Sequence, residues 1–248
     1  MAPSYSIQRL RNGVAKVLAG LTPFGESVWP GVRNDLFLAH ESIYLFFAEH
    51  AAGKRVLDAG SGTGYGAYAL AHAGALSVRA VDLDRRSIRY AQQHFAHPAI
   101  SFQVADLERL NLPHESLDLV VSSNALEHLV DPGAFLVTAR SALVAGGRAL
   151  IAVPPITFAG AMSQHERIHY HRSNLSVDQW LELFAAQGWS QIELFAHRYA
   201  PDPALPDLAS PRQSRLSPTG FTFAPATRDI VYSDPPITAL FSLWRGAA

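Results

Sequence analysis

The chain has 248 residues, 48% of them apolar, which is enough for one sizeable core and excludes a disordered polymer. A net charge of −1 counts against a dedicated nucleic-acid binder. The absence of cysteine removes disulfides, thiolate metal ligands and thiol nucleophiles together, and fits a reducing compartment such as the cytoplasm, the expected location.

Ile7, Leu10, Val14, Val17, Leu18 and Leu21 recur at helical spacing. Arg9, Arg11 and Lys16 interrupt that run, so neither an export signal nor a membrane span is expected. Residues 1–34 therefore form an expected N-terminal helical extension. From residue 35 to 248 a single catalytic domain is expected.

Within it, residues 36–50 read as a helix closed by Gly53. Residues 55–58 are a strand running into a glycine-rich turn. A helix over 65–73 ends at Gly74. A strand over 77–82, a helix over 85–95 and a strand over 100–104 follow. Residues 117–122 are apolar throughout most of their length, as a buried parallel strand should be. Asp131-Pro132 starts a helix that runs to about residue 143. Gly146-Gly147 turns the chain into a strand over 148–153. Ser176 caps a helix over 177–187, which Gly188 terminates, and 190–197 alternates as a strand. Strands alternating with helices of about ten residues imply a parallel sheet covered on both faces. Half of the 16 prolines lie between Pro201 and Pro236, so that stretch reads as a long irregular excursion before a last strand over 237–244.

The sharpest signal is Asp58-Ala-Gly60-Ser-Gly62-Thr-Gly64-Tyr65-Gly66 between a strand and a helix. Glycine is needed where backbone turns with positive φ and lies against a ligand. Gly62, Gly64 and Ala67 loosely satisfy a dinucleotide fingerprint. A pyrophosphate, however, sits poorly beside the strand-end carboxylate of Asp58, and a zwitterionic or cationic ligand is better served. Asp82 ends the next strand, where a carboxylate can accept both ribose hydroxyls. Asp106 follows the third strand, beside Leu107.

These motifs resemble the class I S-adenosylmethionine-dependent methyltransferases over roughly residues 25 to 198. Asp58-x-Gly60-x-Gly62-x-Gly64 fits the first motif of that family. Asp82 with Leu83 falls where its ribose-binding acid lies, and Asp106-Leu107 where adenine is recognised. Ser122-Ser-Asn124-Ala-Leu-Glu127-His128 fits the segment bordering the methyl group. The resemblance implies S-adenosyl-L-methionine as cofactor. It also implies a Rossmann-like, doubly wound α/β sheet of seven strands, mostly parallel, with residues 237–244 as a reversed last strand. Residues 154–175 and 201–236 are the expected substrate-side insertions. The expected cofactor-binding residues are Asp58, Gly60, Gly62, Gly64, Tyr65, Asp82, Leu83, Asp106, Leu107 and Asn124. A looser similarity, carried by Glu26-Ser-Val-Trp-Pro-Gly31 before a helix containing His40 and Tyr44, then by Gly53-Lys-Arg-Val-Leu-Asp58 and Gly64-Tyr65-Gly66, points to methyltransferases of glycan or secondary-metabolite pathways.

His165-Glu166-Arg167-Ile168-His169 spells a zinc-hydrolase motif, with His171 as a third imidazole. No apolar helix surrounds it, so no metal site is expected. His169, His165 and His128 are instead the candidate bases for removing a hydroxyl proton. Asp234-Pro-Pro-Ile237 matches a base-amino methyltransferase signature except for isoleucine in place of the stacking aromatic, and is set aside. The expected activity is methyl transfer to a small-molecule or sugar acceptor, oxygen favoured over nitrogen. No nucleic acid or stable membrane insertion is expected as partner, and homo-oligomer formation is left open. Two rivals remain: a nicotinamide-dependent oxidoreductase, disfavoured by Asp58 and by the absence of a Tyr-x-x-x-Lys pair, and a non-catalytic binding module on the same fold.

Overall fold

The structure is a computed structural model that describes residues 16–18, 20–21, 28–200 and 213–246. Ile7, Leu10 and Val14 of the expected N-terminal helix, Glu26 of the looser similarity, and residues 201–212 of the proline-rich stretch lie outside these residues.

The elements run α1 (Asp35–Ala48), β1 (Arg55–Ala59), α2 (Tyr65–His72), β2 (Ser77–Asp82), α3 (Arg85–His94), β3 (Ile100–Val104), β4 (Leu117–Ser123), α4 (Pro132–Ala142), β5 (Leu143–Val153) and α5 (Ala159–Glu166). They continue with α6 (Val177–Ala186), β6 (Gln191–Tyr199), β7 (Phe221–Ala226), α7 (Arg228–Ser233) and β8 (Thr238–Trp244). Their ends carry the expected chemistry. Asp131 accepts from the Ala134 amide at the start of α4, and Ser176 and Gln179 form a capping box on α6.

One sheet has the strand order β3-β2-β1-β4-β5-β8-β6-β7. β1 to β5 are parallel, and β8 runs antiparallel between β5 and β6. The reversed last strand is therefore where it was expected, but the sheet has eight strands, not seven. The additional strand, β7, falls in the stretch expected to be irregular. It pairs only with β6, at the sheet edge, and contains Pro225. An edge strand has one side free of ladder bonds, so the missing proline N–H is tolerated there. β5 also starts earlier than the Gly146-Gly147 turn suggested, because Leu143 already pairs with Leu117 before a register shift.

The sheet is buried on both faces, which explains its apolar strands. Ile43 and Phe47 of α1 and Leu70 of α2 pack with Val56, Leu119, Leu150 and Leu240. On the other side Phe135 of α4 and Trp180 and Phe184 of α6 pack with Leu57, Val120, Ile151 and Phe241. Strand order reverses direction between β1 and β4, and their carboxyl ends splay there into a crevice. No helix among the described residues is long and apolar enough to cross a membrane.

Candidate active site

The glycine loop leaves β1 at this crevice. Gly60 has φ +83°, and a Cβ there would lie 2.3 Å from the Cβ of Ala125, so the β1 and β4 loops touch only because the side chain is absent. Gly62 has φ +52° and faces open space, so its backbone is bare to the crevice. The Gly62 amide donates to Asp82 Oδ2 at 2.8 Å, and the Asp84 amide donates to Oδ1 at 2.8 Å. Burial pushes the Asp82 carboxyl up from its ordinary range, and those two amides oppose the rise.

Asp58 is fully buried beneath the loop. Its Oδ1 accepts a 2.9 Å hydrogen bond from the Tyr44 hydroxyl, while Oδ2 has no hydrogen-bond partner among the described residues. Burial pushes this carboxyl up to about 7, and the nearby Asp82 charge adds to the rise while the Tyr44 bond opposes it. Such a carboxylate is poised for a cation that would restore its ionised form. Near the end of β4, Ser122 Oγ donates to the Ala59 carbonyl at 2.9 Å, and just beyond it Asn124 turns the chain at φ 47° with its amide on Ala152 O. Asparagine is among the residues that tolerate that conformation.

Together these groups open a cavity of about 540 Å³. It is lined by Gly60, Gly62, Tyr65, Asp82, Leu83 and Asn124, and also by His128, His169, Tyr170 and Arg172. The size suits a cofactor together with part of a small acceptor. Asp58 lies under the floor behind Tyr44. Asp106 and Leu107 sit past the end of β3, where the Asp106 side chain accepts from the Glu108 amide in a 3₁₀ turn and Leu107 is buried. Gly64 caps α2 with φ +88°. His165 lies behind the cavity wall, its ring stacked on His171 at 5.1 Å. The zinc-hydrolase geometry does not form, because α5 ends at Glu166 and His169 turns away into the cavity.

Tyr44, Arg172 and Val28 line the cavity without having been picked out as site residues. Tyr44 shares a helix face with buried Ile43 and Phe47. Val28 is tied in by its carbonyl, which accepts from Thr63 Oγ1 at 2.8 Å. Of the proline-rich stretch, described residues 213–236 form β7, α7 and their flanks at the sheet edge, where Phe223 stacks on His197 at 4.7 Å.

Residues 57–151 match the family described as "Methyltransferase domain". A Mycolicibacterium smegmatis protein named "Probable S-adenosylmethionine-dependent methyltransferase" is 32% identical over 168 residues, 66% of this chain and 64% of that one. Residues 57–151 thus carry a methyltransferase domain. The chain spans less than two thirds of that relative's length, 64%. A ubiquinone biosynthesis O-methyltransferase of Ralstonia nicotianae is 38% identical over 99 residues, 39% of this chain and 41% of that one. A crystal structure of a Mesorhizobium loti S-adenosylmethionine-dependent methyltransferase has a TM-score of 0.58 at 18% identity, covering 84% of this chain and 98% of that one. That likeness concerns the fold.

The residues of this site fit S-adenosyl-L-methionine, the cofactor named for that relative. The bare backbone of Gly62, the half-free carboxylate of Asp58 and the Asp82 oxygens present a surface for one cation and one pair of hydroxyls.

Proposed function

We propose that this protein is an enzyme that transfers the methyl group of S-adenosyl-L-methionine to an oxygen of a small-molecule or sugar acceptor. The observation that carries this reading is one cavity lined both by Asp82 with the glycine-loop backbone and by imidazoles and a guanidinium.

The cofactor, when bound, supplies an electrophilic methyl on a sulfonium that leaves as a neutral thioether. In this reading Asp82 holds the ribose hydroxyls and Leu83 offers an apolar edge to the base. Asp58, with Tyr44 as its hydrogen-bond donor, holds the amino end. Tyr65 and Asn124 bound the methyl end. Asp106 and Leu107 act at the adenine end through the loop after β3. Positioning of this kind supplies about 7–11 kcal/mol of the barrier.

The acceptor enters beside His128 and the residues His169, Tyr170 and Arg172 of the insertion at 154–175. His169 takes the acceptor's hydroxyl proton as the oxygen attacks the methyl. His165 and His128 support it from behind and beside. Oxygen is favoured over nitrogen because a hydroxyl, unlike a neutral amine, must lose a proton to attack well, and the cavity carries imidazoles suited to take it. The similarity to an O-methyltransferase over 99 residues agrees.

The test is production of S-adenosylhomocysteine from S-adenosylmethionine across hydroxylated sugars, phenols and amines. Turnover with a hydroxylated acceptor is expected. Turnover with amines alone overturns the oxygen assignment, and failure to bind S-adenosylhomocysteine in calorimetry overturns the enzyme assignment.

A further inference from the structure

Glu127, His128 and His171 bring one ligand atom each to within 4.8 Å of one another, and His128 lines the cavity. We propose that these three residues form a site for a divalent cation of the zinc or manganese class, with open positions that face the cavity and take the acceptor's hydroxyl oxygen. The role in catalysis rests on the reading given above; the site itself does not.

The backbone builds this cluster. Glu127 and His128 sit in the 3₁₀ turn after β4. The Glu127 carbonyl accepts from both the Arg172 amide at 2.8 Å and the Ser173 amide at 3.0 Å. Ser173 Oγ also donates to Leu129 O at 2.6 Å. These bonds clamp the segment before α6 onto the turn and set His171 beside His128, with ring centroids 5.2 Å apart. Metal–ligand bonds of about 2.0–2.2 Å put ligand atoms about 3–4 Å apart around one ion. Closing the observed spacing needs only small side-chain rotations.

The imidazoles are oriented as ligands require. His128 Nδ1 lies 3.2 Å from the Tyr170 carbonyl, which can only accept. The ring therefore carries its proton on Nδ1 and presents the lone pair of Nε2. His171 Nδ1 meets His165 Nδ1 at 3.1 Å, which holds that ring by the same edge. Supporting a ligating histidine through its second nitrogen fixes its tautomer and direction. Glu127 is buried, with 4% exposure, and supplies the anion. Two imidazoles and one carboxylate suit zinc or manganese better than magnesium or calcium, which prefer oxygen donors throughout. His128 also lines the cavity, so coordination positions not filled by protein point toward the acceptor.

The chemistry balances without a redox step. A hydroxyl on the ion is more acidic and gives its proton to His169. The oxygen forms the new C–O bond, the C–S bond breaks, and its electron pair stays on sulfur as the neutral thioether. This site departs from the expectation that no metal binds. It also differs from the zinc-hydrolase motif, since it uses His171 and not His165 with His169.

The test uses the purified full chain, stripped with chelator and titrated with ZnCl₂ and MnCl₂ in a calorimeter, with bound metal counted after dialysis. One ion per chain is expected. Affinity should fall by about 100-fold or more in His171→Ala and in Glu127→Gln, and about tenfold in His165→Ala. His169→Ala should leave it within about threefold. Cobalt loaded in place of zinc should give visible absorption that His171→Ala abolishes. S-adenosylhomocysteine titrations serve as the folding control and should change little in every variant. Absence of stoichiometric metal in the wild-type protein overturns the proposal. So does metal binding that survives in both His171→Ala and Glu127→Gln, or that is lost in His169→Ala. Failure of S-adenosylhomocysteine binding with metal binding intact would sink the methyltransferase reading and leave the metal site standing.

Discussion

Tyr44 of α1 donates its hydroxyl hydrogen to Asp58 at the end of β1, across 2.9 Å, and leaves the second Asp58 oxygen without a hydrogen-bond partner among the described residues. A helix that precedes the sheet thereby opposes the rise that burial imposes on a carboxylate under the glycine loop. With that carboxyl pushed up to about 7, its charge is only partly present at neutral pH.

If Asp58 in its ionised form receives the cofactor's ammonium group, affinity depends on pH. Below about 7 the carboxyl must first lose its proton, so S-adenosylhomocysteine affinity should fall toward tenfold per pH unit. Tyr44→Phe removes a bond that favours the charged form, so the midpoint should move to higher pH. Asp58→Asn should bind weakly and flatten the profile. Calorimetry at pH 5.5 to 8.5 reads all three; a flat wild-type profile would refute the role given to Asp58.

Asp82 is expected to accept both ribose hydroxyls with its remaining lone pairs. Hydrogen bonds to a charged group contribute about 1.5–3 kcal/mol each. Asp82→Ala should therefore weaken cofactor binding tenfold or more. It also strips the Gly62 amide of its acceptor, so Asp82→Asn, which keeps one acceptor oxygen, should lose less. Equal affinity of both variants and wild type would contradict the assignment.

Two buried groups should give opposite pH slopes to the stability of the cofactor-free protein. His197 is fully buried, and burial pushes it down to about 3. Ser42 Oγ donates to Ala39 O, so its 2.9 Å contact with His197 Nε2 is made by a proton on the imidazole. Between the ordinary histidine value near 6.5 and about 3 the unfolded chain binds the extra proton, so this group's contribution falls as pH falls. Asp58 runs the other way. Its folded value near 7 exceeds the unfolded 3.8, so the folded state binds the extra proton and stability falls as pH rises through that window. Each slope approaches about 1.4 kcal/mol per pH unit. From about pH 4 to 6.5 they offset one another. Asp58→Asn should then grow more stable with rising pH relative to wild type, and His197→Phe less stable. Urea unfolding at several pH values measures both, and parallel profiles would exclude the assignment.

His169 faces the cavity from the segment after α5 and is expected to take the acceptor proton. His169→Ala should lower kcat by about 10²–10⁴-fold, with cofactor affinity within a few-fold of wild type. Steady-state kinetics at saturating S-adenosylmethionine would show it. A matching loss of cofactor binding would mean that His169 supports the pocket instead.

Much of this protein is determined locally and is visible in one dimension. The apolar strands, the caps at Asp131 and Ser176, and the strand-end positions of Asp58 and Asp82 follow from the period of side chains and the needs of backbone termini. In the β1–β2 register Ala59 pairs with Val81, so Asp82 stands one position further on, where the Gly62 amide reaches it. Other features depend on which distant segments meet. Tyr44 enters the sequence reading only through the looser similarity, and only the packing of α1 shows its hydroxyl on Asp58. β7 is hidden by Pro225, which a central strand would not tolerate and an edge strand does. Glu127 and His171 stand 44 positions apart, and the pair exists because the Arg172 and Ser173 amides close on the Glu127 carbonyl. Backbone hydrogen bonding between segments decides that, and no local period of the chain encodes it.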